Sequence, residues 1–147
     1  MKAKNFLAGL GGAIVLSLLH ESLKKKNGNM PRIDLVGEEA VQKTLGIFGS
    51  RIESRDKLYI AALIGDLASN AAYYSMIGNS PNHIWKKAIS LGLAAGIGAV
   101  AVPKHIGLDD EPVARNTQVK LLTASYYLAG ALATAAILTA IKSKKSQ

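Results

Sequence analysis

Asp66, Ser69, Asn70 and Tyr73 stand at i, i+3, i+4 and i+7 within "LIGDLASNAAYYSMIG", residues 63–78. In a helix that spacing puts all four on one face. Around the acid every other residue is apolar, small or neutral. A carboxylate about eight residues into such a run would lie on the order of 12 Å deep in a bilayer. It would cost ~2.5–3.5 kcal/mol on insertion scales, so it must turn toward protein or water. The chemistry on offer is the handling of an ion, a proton or a small polar solute, with Ser69, Asn70 and Tyr73 as the polar shell. The plainer reading is interhelical glue, since Ser, Asn and Tyr bond across membrane helices at roughly 0.6–2 kcal/mol each. Tyr126 and Tyr127 fall near the depth of Asp66 if their segment starts from the same side. A phenol donating to Asp66 is therefore expected.

A second set of ionisable residues gathers at segment ends: His20, Glu21, Arg32, Asp34, Lys104, His105, Asp109, Asp110, Glu111 and Arg115. His20 and Glu21 close one apolar run, and Lys104 and His105 close another. His20, Glu21, Arg32, Lys104, His105 and Arg115 could form a mouth that takes a metal, an anion or a lipid headgroup. A hydrated interface with salt bridges is the ordinary outcome for such residues. No His-x3-His or HExxH spacing occurs, so no metal is expected. Cysteine is absent from the chain, which rules out thiolate sites and disulfides. There is no Walker motif, no G-x-S-x-G and no visible nucleophile–base pair, so no catalytic residue and no cofactor is assigned.

"GIGAVA" (96–101) has the loose form of a dinucleotide loop, but no strand precedes it. Gly92 and Gly96 instead form G-x-x-x-G, which lets helix backbones approach closely. Gly9 and Gly12 in the first run and Gly130 in the last are expected to serve in the same way. These faces could pack the bundle or join two copies in a homodimer.

The elements that must carry these residues are four apolar runs, giving spans at about 5–22, 58–77, 86–103 and 119–141. The last contains "LLTASYYLAGALATAAILTAI", with no formal charge and no polar face. Such a helix lies in a large core or crosses a bilayer. A chain of 147 residues builds no large core, and about 20 helical residues cross a ~30 Å hydrocarbon layer. A soluble bundle would show a charged face at each turn. The apolar parts of the first and third runs are shorter and need snorkelling flanks or thinned lipid. The second, broken by Asp66, is the weakest. "HESLKKK" after the first run is no small-residue cleavage site, so that run is read as retained rather than as a signal peptide.

Between the first two runs, Pro31 stops helix and Asp34 can cap the next one, with Glu38 and Glu39 near its N-terminus. Val41, Leu45 and Phe48 then fall on one stripe, suited to lying on the membrane or on the bundle. The expected fold is all-α: an integral membrane four-helix bundle with this amphipathic connecting helix between the first and second spans. Residues 1–147 form one membrane domain.

The net charge is +8. The lysines cluster beside apolar runs, where they anchor helix ends. The aromatics that would stack bases are missing from these clusters, so nucleic acid is not an expected partner. In the four-span topology one side carries Lys2, Lys4, Lys86, Lys87, Lys142, Lys144 and Lys145 and no acid; the other carries eleven Lys/Arg and nine Asp/Glu. Both qualify as the cytoplasmic side by their basic flanks, so no direction is assigned.

The chain also echoes itself. "AGLGGAIV" (8–15) resembles "AGIGAVAV" (95–102), and "NAAYYSMIG" (70–78) resembles "TASYYLAGA" (123–131). The first two runs read as a parallel copy of the last two.

Through "LHES" (19–22), "PRIDLVGEEA" (31–40), "GDLASNAAYYS" (65–75), "GLAAGIGAVAVPKHIGL" (92–108) and "YYLAG" (126–130), the sequence resembles a group of small bacterial membrane proteins of no known activity. The resemblance implies four helices in a multi-pass protein of the bacterial inner membrane, with the lipid bilayer as partner. It implies no mechanism and no ligand. The leading expectation is thus handling of an ion, proton or small polar solute centred on Asp66. A non-catalytic membrane scaffold comes second. A lipid-acting enzyme using His20, Glu21 and Arg115 comes last.

Overall fold

The computed structural model describes residues 2–144. Lys145 of the basic C-terminal cluster lies outside them. Among the described residues there are six α-helices and no strand: α1 (Ala3–Leu23), α2 (Ile33–Ile47), α3 (Arg55–Ser75), α4 (Ile84–His105), α5 (Glu111–Ala114) and α6 (Thr117–Lys144). A 3-10 turn, Met76–Asn79, follows α3. Local chemistry sets several boundaries. Ser54 accepts a hydrogen bond from Lys57 N (3.4 Å) at the start of α3. Gly107, at φ +79°, takes the left-handed conformation just beyond α4. Pro112 stands in the first turn of α5.

Three helices, α1, α4 and α6, are long and apolar enough to cross a membrane. α1 has 21 residues and α4 has 22. At 1.5 Å per residue each is about 32 Å long, so neither needs the thinned bilayer that its shorter apolar run suggested. α3 also has 21 residues. Its Arg55-Asp56-Lys57 start and Asp66 keep it out of that group of three.

The long helices pack in the order α3–α1–α6–α4, and small residues set the seams. A Cβ added to Gly9 would overlap Ala71 O on α3, and one on Gly12 would overlap Gly130 O and Thr134 Oγ1 on α6. On the other side of α6, a Cβ at Gly92 would stand 2.8 Å from Ala131 Cβ, and one at Gly96 2.6 Å from Ala124 Cα. Gly130 is pressed between Gly12 O and the ring of Tyr74. All five of these glycines are thus in close contact inside one chain.

One end of the bundle holds the start of α1, the turn after α3 and the end of α6. There Asn5 Nδ2 donates to Asn79 Oδ1 (3.4 Å) and Lys142 Nζ to Pro81 O (3.4 Å). The opposite end, called the far end below, holds α2, α5 and their loops.

The echo in the sequence has a structural counterpart. Gly9 and Ala71 make the seam of the first hairpin; their matching residues Gly96 and Ala124 make the seam of the second. From Gly9 to Ala71 is 62 residues and from Gly96 to Ala124 is 28, so the first half is 34 longer between these anchors. α2 lies in that excess.

α2 breaks the likeness between the halves. α3 and α4 do not pack along their length. At the far end α2 wedges between them. Its Glu39 accepts from Asp109 N (2.8 Å), its Lys43 Nζ donates to Gly107 O, and its Gly37 backs onto Ala62 of α3. The expected stripe Val41, Leu45 and Phe48 does not seat this helix on the bundle. Ile33 and Val36 do so, while Ile47 and Phe48 are 81% and 79% exposed. The physical reason is the polar pinning of the helix: besides Glu39 and Lys43, Gln42 exchanges two hydrogen bonds with the main chain of Ile52 (2.7 and 3.1 Å). These fix its rotation and leave Phe48 outward, with Val41 and Leu45 half-buried.

Candidate functional site

Asp66 rises from the middle of α3, two turns after Tyr59 on the same face. Opposite it, α1 presents Leu16, Ser17, His20 and Glu21, and α2 presents Asp34. Asp66, His20, Glu21, Asp34 and Tyr59 line one cavity of about 30 Å³. That volume accepts one or two waters, and no organic substrate. Sequence spacing had put Asp66 and His20 in separate constellations. Antiparallel packing of α1 on α3 brings them together.

The two carboxylates of the cavity differ in kind. Asp34, with its side chain 7% exposed, is engaged on three sides, by Arg32, Lys24 and His20. Arg32 grips it with both fork nitrogens, Nε to Oδ1 at 2.9 Å and Nη2 to Oδ2 at 2.8 Å. Lys24 Nζ stands 3.4 Å from Oδ2, and His20 Nε2 is 3.3 Å from Oδ1. Burial opposes ionisation of Asp34, but its contacts with His20 and Arg32 outweigh burial and hold the carboxyl well below the usual carboxylate range. Lys24 also pairs with Glu21 Oε2 at 2.8 Å and lies 4.8 Å from the centre of the Tyr59 ring. Burial lowers the affinity of Lys24 for its proton; Glu21 and Asp34 more than restore it.

Asp66 has much less company. Its Oδ1 accepts one hydrogen bond, from Asn70 Nδ2 at 3.0 Å. Its Oδ2 has no hydrogen-bond partner among the described residues. His20 sits between two other carboxylates: Nδ1 lies 3.3 Å from Glu21 Oε1 and Nε2 3.3 Å from Asp34 Oδ1, the latter contact without an aligned hydrogen bond. An acid with one free oxygen and an imidazole held by two further carboxylates therefore line the same small cavity.

The rest of the expected shell is dispersed. Ser69 Oγ donates to the main-chain oxygen of Asp66 (3.1 Å) and is exposed. Tyr73 Oη donates to Leu91 O of α4 (2.9 Å). No phenol reaches Asp66: Tyr126 is buried with its hydroxyl unpartnered, since α6 lies against α1 rather than along the Asp66 face of α3. Of the expected mouth, His20, Glu21 and Arg32 converge. Lys104 and His105 do not join them; both are exposed on the last turn of α4, and His105 Nδ1 contacts Ala101 O at 2.8 Å. Arg115 binds the 24–32 loop through Gly28 O and Met30 O. Among the described residues no group of three or more His, Cys, Asp or Glu could hold a metal.

Asp34 was named with His20, Glu21 and Arg32; Tyr59 and Lys24 belong to the site but were not singled out for it. Tyr59 was findable at i−7 from Asp66. Lys24 was findable at i+3 from Glu21, and was read instead as a helix-end anchor. Compared with known proteins, the chain matches no family model, no curated protein and no solved structure, so its fold and its site stand on their own geometry.

Proposed function

We propose that this is a multi-pass membrane protein that crosses the bilayer four times and handles protons at Asp66, reached from the far end through His20. The observation that carries the reading is the shared cavity of Asp66 and His20, too small for anything but water or a small ion. An acid and an imidazole across one or two waters are a minimal proton-transfer pair. Glu21, a third exposed at its side chain, touches His20 and gives the path its outlet. The Asp34–Arg32–Lys24 cluster holds the imidazole in place. α3 is the fourth span in this reading: from Leu58 to Ser75 its one charge is Asp66, and it runs antiparallel to α1. The likeness to small bacterial membrane proteins favours an inner-membrane setting.

The test is proton flux into liposomes carrying the purified protein under an imposed pH gradient, followed with an entrapped pH dye. Flux is expected in the wild type and its loss in Asp66→Asn, with a reduced rate in His20→Gln. No flux, or flux unchanged in Asp66→Asn, rejects the proposal. The bond from Asn70 to Asp66 favours a second reading, in which the polar face only packs the bundle and Asp66→Asn is silent. A lipid-acting enzyme built on His20, Glu21 and Arg115 loses its support, because Arg115 is spent on the 24–32 loop.

A further inference from the structure

We propose that the groove between α3 and α4 seats one acyl chain of a bilayer phospholipid, entering sideways from the hydrocarbon. The groove has a volume of about 730 Å³ and is open along its outer side. Its α4 wall is made of small and aliphatic residues, Ala95, Gly98, Ala99 and Val102, and Tyr127 of α6 lines it as well.

The polar groups of the opposite wall each commit a donor inside the protein. Ser69 Oγ and Asn70 Nδ2 both donate to Asp66, and Tyr73 Oη donates to Leu91 O. With its donors engaged inside the protein, the groove asks for an apolar occupant. In its wall Val102 (48% exposed) and Ile106 (63% exposed) open outward, so it is continuous with the surface that hydrocarbon would cover.

Length decides between a helix and a lipid. The corresponding residues of α1, Gly11 and Gly12, lie under Ile137 and Thr134 of α6, so a helix is what that face takes in the other half. On α4 the groove is closed at one end by the Tyr73–Leu91 bond and at the other by α2, whose Val36 is in its wall. From Ala95 to Ile106 it runs ~16 Å, about half of a ~30 Å hydrocarbon layer. A spanning helix from a partner needs the full thickness. A tail from one leaflet fits the half. A seated tail would also cover Asn70, the residue that holds Asp66.

The inference rests on α3 and α4 spanning the bilayer. The experiment reconstitutes the full chain in phosphatidylcholine vesicles containing a fraction of the same lipid with a photoactivatable tail. Flotation first shows whether the protein is in the vesicles, and labelled peptides are then mapped. The expected result is labelling enriched at residues 95–106 over the outward residue Leu93, and loss of that enrichment in Gly98→Phe. A side chain at Gly98 meets nothing nearer than Val102 Cγ2 at 4.0 Å; if that variant does not fold, Ala99→Leu replaces it. A floating protein labelled evenly on all outward faces overturns the proposal, as does enrichment that persists in both variants. Disulfide crosslinks between two copies of Ala99→Cys, in a chain with no native cysteine, would put a second copy in the groove and overturn it. A chain that does not float removes the membrane reading and the lipid seat with it.

Discussion

Tyr74 Oη donates a 2.7 Å hydrogen bond to the main-chain oxygen of Tyr127, tying α3 to α6 at the centre of the bundle. The two residues occupy matching places in the two halves, so the bond joins the halves near their common axis. Tyr74 is fully buried and its ring also borders Gly130. Tyr74→Phe is expected to cost about 1–2 kcal/mol from the lost buried bond. Tyr126→Phe should be neutral or slightly stabilising, because the Tyr126 hydroxyl is buried with no partner. Denaturant unfolding in detergent, followed by circular dichroism, compares the two; equal losses would count against this assignment.

Asp34 is the keystone of the far end. Removing it in Asp34→Ala leaves Arg32, Lys24 and His20 facing one another without their shared anion. Truncating one partner of a buried, hydrogen-bonded charge cluster costs about 2–5 kcal/mol. Glu39→Ala, in an exposed pair with Lys43, is expected to cost under about 1 kcal/mol. The same unfolding assay reads both, and the Asp34 variant should be much the weaker.

The depressed proton affinity of Asp34 gives this cluster a pH signature. In the unfolded chain the carboxyl takes up its proton near pH 3.9; in the folded protein it resists protonation until well below that. Its contribution to stability is therefore complete above about pH 4 and drains away as the pH falls further. Melting temperature in detergent should drop below pH 4 in the wild type. That component of the drop should be absent from Asp34→Asn, and a drop of equal size in both would show that other carboxylates cause it.

The glycine seams predict opposite outcomes for the same substitution. Gly12→Ala drives a methyl into Gly130 O and Thr134 Oγ1, and backbone cannot step aside cheaply. Overpacking of this kind costs about 1–3 kcal/mol or more. Gly65→Ala, on the open face of α3 with nothing within 4 Å, should be neutral or stabilising by up to about 1 kcal/mol. Paired thermal melts distinguish them.

The sequence carried the helices well and the site only in pieces. Apolar runs and their lysine flanks marked all four long helices, because composition along one segment suffices for that. Gly9, Gly12, Gly92, Gly96 and Gly130 were legible as packing residues because small side chains in apolar runs have few other uses. The helical face of Asp66 was legible because it is local. The meeting of Asp66 with His20 was not, since 46 residues separate them and only the register of α1 on α3 decides it. The partner of Asp66 was misassigned to Tyr126, because depth in a span says nothing about which neighbour a helix turns toward. The seating of α2, left open between the membrane and the bundle, was undecided for a related reason. Its apolar stripe pointed one way, and the pins at Glu39, Gln42 and Lys43 involve residues 10 to 70 positions distant.

The paired seams, Gly9 on Ala71 and Gly96 on Ala124, carry a genetic meaning. A lone hairpin of this type buries its outer surface only by meeting another hairpin. A tandem duplication and fusion of its gene would make that encounter intramolecular and fix the stoichiometry at two. Fusion also frees the two units to diverge. The acid at position 66 aligns in sequence with Val119 of the second unit, and the added segment holding Asp34 exists in the first unit alone. Two identical subunits could never acquire such a one-sided centre, because every change would appear twice.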